Sequence, residues 1–352
     1  MSSISKPLGG RVGIVGTGSR AAMFVRGIVA RPNSKVVAIC EPNSVRAAYY
    51  NNLLQELGAS TVPVYQPEAF ETMLKDEKVE TIVVTCVDAL HDLYIVPALK
   101  AGGKHEQEYN PVHELVKRAI AEGKIGNVLS VHFEWLLDTV HGADYFRRWH
   151  RQKSNSGGLM VHKSGHHFDL VNWWLDAEPD TVAGIGKLAF YGDDNGKRHG
   201  WGRKYERARN SEAARGDPFA IDLEGDETLK GIYADAEKED GYYRDQNLTG
   251  GQIHGNAPPP NPGEATVKLQ RLWQKPELLP ITMEHGSHGG GDRRMLSVLF
   301  GPLPGEDVDT GDASKQSASE RDGAMALAVG LLANESFKDG QFHTIQELSF
   351  PL

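Results

Sequence analysis

Two patterns of hydrophobic and polar positions alternate in the first part of the chain. Short apolar runs cover residues 11–15, 35–40 and 81–85, and such runs are typical of strands buried on both faces of a parallel sheet. Amphipathic stretches with helical spacing follow, for example over residues 22–30 and 44–57. This alternation predicts an α/β fold with a doubly wound parallel sheet.

The pattern changes near residue 110. Strand-like runs then occur, and a final helix is predicted over residues 324–336. The strand-like runs cover residues 128–135, 181–191, 265–272 and 279–284. The first of them alternates apolar and polar residues, which predicts an antiparallel strand with one polar face. We therefore predict a first domain over residues 1–109 and a second, α+β domain over residues 110–352.

A glycine-rich turn directly follows the first predicted strand, and its sequence is Gly16-Thr17-Gly18-Ser19-Arg20-Ala21. Gly16 allows the tight turn, and Gly18 lets the backbone approach a pyrophosphate, which the free N–H groups of the next helix bind. The second predicted strand ends in Glu41, which can accept hydrogen bonds from ribose hydroxyls. Together these features predict dinucleotide binding, and the alternative is a glycine turn in an ordinary α/β domain.

Composition narrows the range of partners and compartments. The chain has 38 basic and 47 acidic residues, and the net charge of −9 disfavours nucleic acid or an anionic membrane as the main partner. No apolar run reaches membrane-spanning length, and residues 1–10 lack a signal-peptide core. Cys40 and Cys86 fall in predicted buried strands, as core residues in a reducing compartment do. We expect a soluble, cytoplasmic protein.

Candidate catalytic residues lie in the stretch 157–174, which reads as a glycine turn entering a helix. A hydride-transfer site needs a base for the substrate hydroxyl, and His162, Lys163 and His166 supply suitable groups. His162 and His166 share a face if the helix extends back to both. The alternatives are a helix-entry histidine satisfied by backbone and a solvated lysine. Asp169 is expected to orient His166 or to cap structure.

Candidate substrate-binding residues lie in a second cluster over residues 141–150. Tyr145, Arg147 and Trp149 could bind a sugar or a carboxylate, together with His167 and Asp169 of the preceding stretch. The alternative is an aromatic plug with surface arginines. A third cluster, residues 285–292, has glycines that allow close approach to a ligand or to backbone. The histidines lack a cysteine or a clear third ligand, so no metal site is predicted.

These motifs resemble the Gfo/Idh/MocA family of NAD(P)-dependent oxidoreductases. The resemblance implies a Rossmann domain followed by an α+β domain with an open, mainly antiparallel sheet that often forms a dimer interface. It places His166 at the family's catalytic histidine and His162 where many members carry Asp. The implied cofactor is NAD, with NADP possible because Arg20 and Arg46 lie near Glu41. The implied cofactor-binding residues are Gly16, Thr17, Gly18, Ser19, Arg20, Glu41, Thr85, Asp88 and His91.

One segment of the family pattern is missing. The family has a strand with a Glu-Lys-Pro motif after the helix that ends near Gly102, whereas here the join is only residues 103–109. Roughly thirty residues, about one βαβ step, are absent by comparison, and the motif lysine has no counterpart. Strand 81–85 then becomes a sheet edge, and the nicotinamide end of the site is expected to suffer most. Three origins of this gap remain open: a natural variant, a splice or gene-model product, and an engineered deletion.

Three functions remain open at this point. The leading hypothesis is an NAD(P)-dependent oxidoreductase that takes hydride from a hydroxyl of a sugar, polyol or related small molecule. A redox-neutral enzyme that retains NAD and processes a glycoside is an alternative within the family. A regulatory pseudoenzyme that binds the dinucleotide without turnover is the third, because the catalytic-lysine segment is missing. The expected partners are a small-molecule substrate and further copies of the chain, bound through the C-terminal sheet.

Overall fold

The computed structural model describes most of the chain outside several segments. The described residues are 9–100, 111–136, 139–147, 149–191, 193–200, 211–215, 217, 220, 225, 227–236, 266–271, 273–281, 291–305 and 319–348. The shortened join at 103–109 and the glycine cluster at 285–290 lie outside them. The predictions for those two segments are therefore not tested by the structure.

The N-terminal domain is a four-stranded parallel sheet with helices, as predicted. Its strands are β1 (Gly10–Val15), β2 (Ser34–Cys40), β3 (Val64–Tyr65) and β4 (Thr81–Val84). Its helices are α1 (Ser19–Val29), α2 (Ser44–Glu56), α3 (Phe70–Asp76) and α4 (His91–Lys100). The strand order is β3-β2-β1-β4, with every neighbouring pair parallel. The carboxyl ends of β1, β2 and β4 therefore meet at one edge, where open α/β sheets bind ligands.

The core of this domain is built from the apolar runs. Val12 and Ile14 of β1 are fully buried, as are Val25 and Ile28 on the inner face of α1. They pack together in one hydrophobic cluster with residues of β2 and α2. Burial on both faces explains why β1 reads as a continuous apolar run in the sequence.

Strand β4 is the outer strand of this sheet among the described residues, as the missing segment predicts. It pairs with β1 on one side, and only Val83 of its four residues is buried. We expect hydrogen exchange to be faster at the amides of β4 than at those of β1, which has a partner on both sides. Equal, strong protection of both strands in an exchange experiment on the full chain would contradict this and would indicate a cover for β4.

The C-terminal domain is richer in helix than its sequence pattern predicts. Its helices are α5 (Pro111–Ala121), α6 (Thr139–Arg147), α7 (Lys153–Ser156), α8 (Leu159–His162), α9 (Gly165–Leu175), α10 (Asp193–Arg198), α11 (Glu227–Leu229), α12 (Gly291–Phe300) and α13 (Glu320–Asp339). Its strands are β5 (Thr181–Val182), β6 (Val267–Leu269), β7 (Glu277–Leu279) and β8 (His343–Thr344). They form two antiparallel pairs, β5 with β8 and β6 with β7.

The predicted strand over residues 128–135 was wrong for this single chain. Residues 128–135 are not in a strand, and the predicted strand at 181–191 is reduced to Thr181–Val182. The apolar side of the first run is largely uncovered, since Leu129 is 95% exposed and Trp135 is 51% exposed. An alternating pattern needs a layer to cover its apolar face, and α9 covers this face only in part, through His167 and Trp174 beside Phe133 and Trp135.

Helix α12 lies in the second part of the sequence, after the predicted domain boundary at residues 109 and 110. It nevertheless packs against the core of the N-terminal domain. A Cβ on Gly27 of α1 would lie 2.7 Å from Leu296, so α12 approaches α1 closely. Leu299 and Phe300 are buried in the same cluster as β1. The guanidinium of Arg31 donates to the Ser297 hydroxyl at 3.1 Å. These contacts hold the C-terminal part against the cofactor domain. No helix in the described ranges has the length and apolar character needed to span a membrane.

Candidate active site

The glycine turn connects β1 to α1 at the carboxyl edge of the sheet. Gly16 has a φ of +79°, and a Cβ there would lie 2.6 Å from the backbone nitrogen of Cys86. Both the positive φ and the close approach therefore require glycine. The Thr85 hydroxyl donates to the Gly16 carbonyl oxygen at 2.7 Å, which joins the end of β4 to the turn.

The carboxylate of Glu41 lies at the end of β2, where the sequence predicts it, but it is only 3% exposed. One of its oxygens accepts from the backbone N–H and the hydroxyl of Thr17, at 2.9 and 2.7 Å. The other accepts from the Asn43 N–H at 2.9 Å and from the Arg46 guanidinium at 3.2 Å. The carboxylate predicted to receive the ribose hydroxyls is thus held by groups of the protein itself.

We expect the ion pair between Glu41 and Arg46 to be important for stability. Both side chains are 4% exposed, so Arg46→Leu would leave a buried carboxylate without its cation. The expected loss in the free energy of unfolding is about 3–5 kcal/mol, measured by denaturant unfolding. The matched control is Arg215→Leu, which removes a pair with Glu212 whose side chains are both 79% exposed, with an expected change of about 0–1 kcal/mol. Similar small losses in both variants would show that Glu41 tolerates the absence of Arg46.

The other predicted cofactor residues lie around the same edge, with partners of their own. The Ser19 N–H donates to the hydroxyl of Tyr233 at 3.0 Å. The Arg20 guanidinium forms an ion pair with Asp292 at 3.0 Å. A ring nitrogen of His91 lies 3.0 Å from the Cys86 carbonyl oxygen. Sequence reasoning missed Tyr233, which is far from Ser19 along the chain and carries no motif.

Asp88 pairs with His162 across the two domains. Asp88 begins a short 3₁₀ turn, Asp88–Leu90, after β4, and its carboxylate is hydrogen-bonded to Nδ1 of His162, the last residue of α8. The two side chains are 33% and 21% exposed. A carboxylate on Nδ1 orients the imidazole and makes Nε2 the atom that takes up or releases a proton.

Aromatic rings surround the His162 imidazole. The ring centroids of His150, Trp149 and Tyr145 lie 4.6, 5.5 and 5.7 Å from that of His162. Burial raises the pKa of the Tyr145 phenol to about 12, so that this group stays protonated at neutral pH. Tyr145 and Trp149, predicted to bind substrate, thus lie beside His162. The side chain of Arg147 lies outside the described residues.

The other predicted catalytic residues lie on α9 or in the short turn before it. Helix α8 ends at His162 and α9 begins at Gly165, so His162 and His166 do not share one continuous helix. His166 is exposed, whereas Lys163 and Asp169 are half-buried.

His167 is part of a different aromatic cluster. Its ring centroid lies 5.3 Å from that of Phe133 and 4.7 Å from that of Trp135. The described residues contain no group of three or more His, Cys, Asp or Glu side chains placed to hold a metal ion. The site around His162 combines a hydrogen-bonded carboxylate and imidazole with neighbouring aromatic rings.

The sheet order and the glycine turn at its carboxyl edge define a protein with a dinucleotide-binding Rossmann domain. Residues 10–112 match the family model described as the NAD-binding Rossmann fold of the Gfo/Idh/MocA oxidoreductases. Residues 117–224 match the model of that family's C-terminal alpha/beta domain. The chain belongs to the Gfo/Idh/MocA family.

A relative of known sequence matches most of this chain. The oxidoreductase homologue YteT of Bacillus subtilis (strain 168) is 29% identical over 409 residues, which cover 90% of this chain and 93% of YteT. The alignment is longer than the 352 residues of this chain, so YteT carries residues inside the matched span that this chain lacks.

Two further similarities cover different shares of the chain. A glycosyl hydrolase family 109 protein of Parabacteroides distasonis is 31% identical over 97 residues, 26% of this chain and 20% of that protein. The crystal structure of an aldose-aldose oxidoreductase from Caulobacter crescentus, complexed with glycerol, has a TM-score of 0.54 at 12% identity. It covers 96% of this chain and 99% of that chain, and it shows the fold alone.

Proposed function

We propose that this protein transfers hydride between NAD and a hydroxyl of a sugar, polyol or related small molecule, with Asp88 and His162 as its acid–base pair. The observation that carries the proposal is the hydrogen bond between these two residues next to the ligand-binding edge of the cofactor sheet. A hydroxyl oxidation must remove one proton and one hydride. The imidazole of His162 suits the first task because a ring nitrogen can accept the hydroxyl proton, while Asp88 holds the other ring nitrogen.

The residues of the glycine turn fit a dinucleotide. The turn at Gly16 packs so closely on Cys86 that no side chain can enter, and Gly18 is the N-cap residue of α1, with no side chain to cap the helix. The first N–H groups of α1 thus point toward a site for phosphate oxygens. The residues proposed to hold the cofactor are Gly16, Thr17, Gly18, Ser19, Arg20, Thr85 and His91. NAD, when bound, accepts the hydride.

The proposed proton transfer uses this chain's own groups. His162 Nε2 takes the hydroxyl proton as the carbon that bears the hydroxyl loses its hydride, and a carbonyl forms. The Asp88 carboxylate stabilises the imidazolium that results, because it stays ionised and accepts a hydrogen bond from the Nδ1–H group. Lys163 and His166 are proposed as further cationic or basic groups near the substrate, and the exposure of His166 places it second to His162.

The rings beside His162 support a sugar or polyol as substrate. Tyr145 and Trp149 offer apolar faces and polar edges, and such groups bind rings that carry hydroxyls. Arg147, His167 and Asp169 remain proposed contacts. Because the Tyr145 phenol keeps its proton, it donates a hydrogen bond rather than acting as a base.

A redox-neutral reaction is the second candidate function. The match to the glycosyl hydrolase family 109 protein favours it, although that match covers 26% of this chain. Product analysis separates the two reactions. A dehydrogenase forms NADH in step with the substrate consumed, whereas glycoside turnover without net NADH would favour the redox-neutral reaction. NAD binding with neither product would favour a regulatory pseudoenzyme.

We also propose that the protein is a cytoplasmic homo-oligomer. The C-terminal part exposes large apolar side chains that a second copy would cover, including Leu129, Trp135 and Leu136 at 95%, 51% and 84% exposure. Light scattering on the full chain tests the oligomeric state, and a monomer at micromolar concentration would contradict it.

A further inference from the structure

We propose that Tyr233 occupies the pyrophosphate position of the cofactor site, and that the segment 227–236 must withdraw before a dinucleotide binds. This inference rests on the cofactor site described above and adds a device that controls access to it. The segment consists of α11 followed by a π-helical turn, Lys230–Ala234. π-helical turns are rare and occur frequently at functional sites.

The first observation is the hydrogen bond at the start of α1. The Ser19 N–H donates to the Tyr233 hydroxyl oxygen at 3.0 Å. Ser19 is the first residue of α1, so its N–H has no partner within the helix and is one of the donors that a phosphate oxygen would receive. The phenol oxygen and a phosphate oxygen therefore compete for one donor.

The second observation is the position of the hydroxyl relative to Gly18. A Cβ built on Gly18 would lie 3.3 Å from the Tyr233 hydroxyl oxygen. The second glycine of such a turn has no side chain so that the pyrophosphate can approach its backbone. Tyr233 thus fills the same space that Gly18 leaves open, and the two occupants exclude each other.

The third observation is that the segment is docked on the cofactor domain. Ile232 is fully buried and packs in the same cluster as β1 and α2. The Asn43 side-chain amide donates to the Ala236 carbonyl oxygen at 3.0 Å. Gly231 approaches α2 so closely that a Cβ would lie 2.6 Å from the ring of Tyr49. Three contacts besides the hydrogen bond of Tyr233 therefore hold the segment against the cofactor domain, and we call this position the closed state.

The same segment is also connected to Glu41, the residue predicted to bind the ribose of the cofactor. Asn43, which holds the Ala236 carbonyl through its side chain, donates its backbone N–H to Glu41. The closed segment and the enclosed carboxylate of Glu41 therefore share one residue. Withdrawal of residues 227–236 frees the Ser19 N–H and removes one support of the Glu41 network.

The test is NADH binding to the full chain by titration calorimetry. Tyr233→Phe keeps the ring and removes the acceptor of the Ser19 N–H, so the closed state loses one hydrogen bond. We expect NADH affinity to rise by about two- to tenfold. Gly231→Ala should act in the same direction through a different contact, because its methyl group meets Tyr49. Tyr191→Phe is the matched control, since it removes a phenol bonded to the Thr139 carbonyl oxygen, and we expect it to leave NADH affinity unchanged.

Hydrogen exchange gives an independent readout. Saturating NADH should increase exchange in residues 227–236 of the wild-type chain as the segment withdraws. Weaker NADH binding by Tyr233→Phe, or greater protection of residues 227–236 with NADH, would overturn the proposal and make Tyr233 a cofactor ligand. Unchanged affinity in both variants would also overturn it. No NADH binding by any of the variants or the wild type would instead refute the cofactor site itself.

Discussion

His162→Ala should lower turnover by about a hundredfold or more while leaving NADH affinity nearly unchanged. The variant removes the group proposed to take the hydroxyl proton, and the hydrogen bond of His162 is made with Asp88 rather than with the glycine turn proposed to hold the cofactor. Asp88→Asn keeps a similar shape without the charge that stabilises the imidazolium, and we expect a loss of about 10–100-fold. Steady-state NADH formation, combined with NADH titration of each variant, measures both effects.

His166→Ala is the matched control for this prediction. It removes the same chemical group four positions along the chain, from an exposed site at the start of α9. We expect a much smaller loss of turnover than for His162→Ala. The reverse order, with a large loss at His166 and a small one at His162, would move the base to the position that the family resemblance implies.

Gly18→Val should weaken NADH binding by about 10–100-fold, which corresponds to the loss of one charge-assisted hydrogen bond between phosphate and backbone. The new side chain would stand at the start of α1, on the face where the Tyr233 hydroxyl lies 3.3 Å from a Cβ. The valine side chain would then keep the pyrophosphate away from the Ser19 N–H group. Titration calorimetry with NADH measures the change directly.

The control for this variant is Gly323→Val in α13. A Cβ on Gly323 meets no other atom within 4 Å, so the same substitution there should not alter NADH affinity. Equal NADH affinity in wild type and Gly18→Val would refute the placement of the cofactor at this turn.

The cofactor domain could be predicted from sequence because its signals are local. The apolar runs of β1 and β2, the turn at Gly16 and the acid at Glu41 are read from neighbouring residues. The shortened join also predicts β4 as an edge strand, and β4 is the outer strand of this sheet among the described residues. Neighbouring residues determine such elements, so pattern and structure agree.

The partners of these residues could not be predicted, because they depend on distant parts of the chain. Nothing near Glu41 signals that Thr17 binds its carboxylate, and nothing near Ser19 signals Tyr233. The pairing of Asp88 with His162 joins two motifs that the sequence treats separately. The alternation over residues 128–135 predicted a strand, but its apolar face stays largely exposed, with Leu129 at 95% and Trp135 at 51% exposure.

The central claim is that this chain oxidises a hydroxyl with Asp88 and His162 beside a bound NAD. The most direct test incubates the full-length protein with NAD and a panel of aldoses, inositols and linear polyols, and follows NADH by absorbance and the carbonyl product by mass spectrometry. We predict that at least one compound yields NADH and carbonyl product in equal amounts, and that His162→Ala abolishes both. NAD that binds but is not reduced by any compound, or NADH formation that survives in His162→Ala, would contradict the claim.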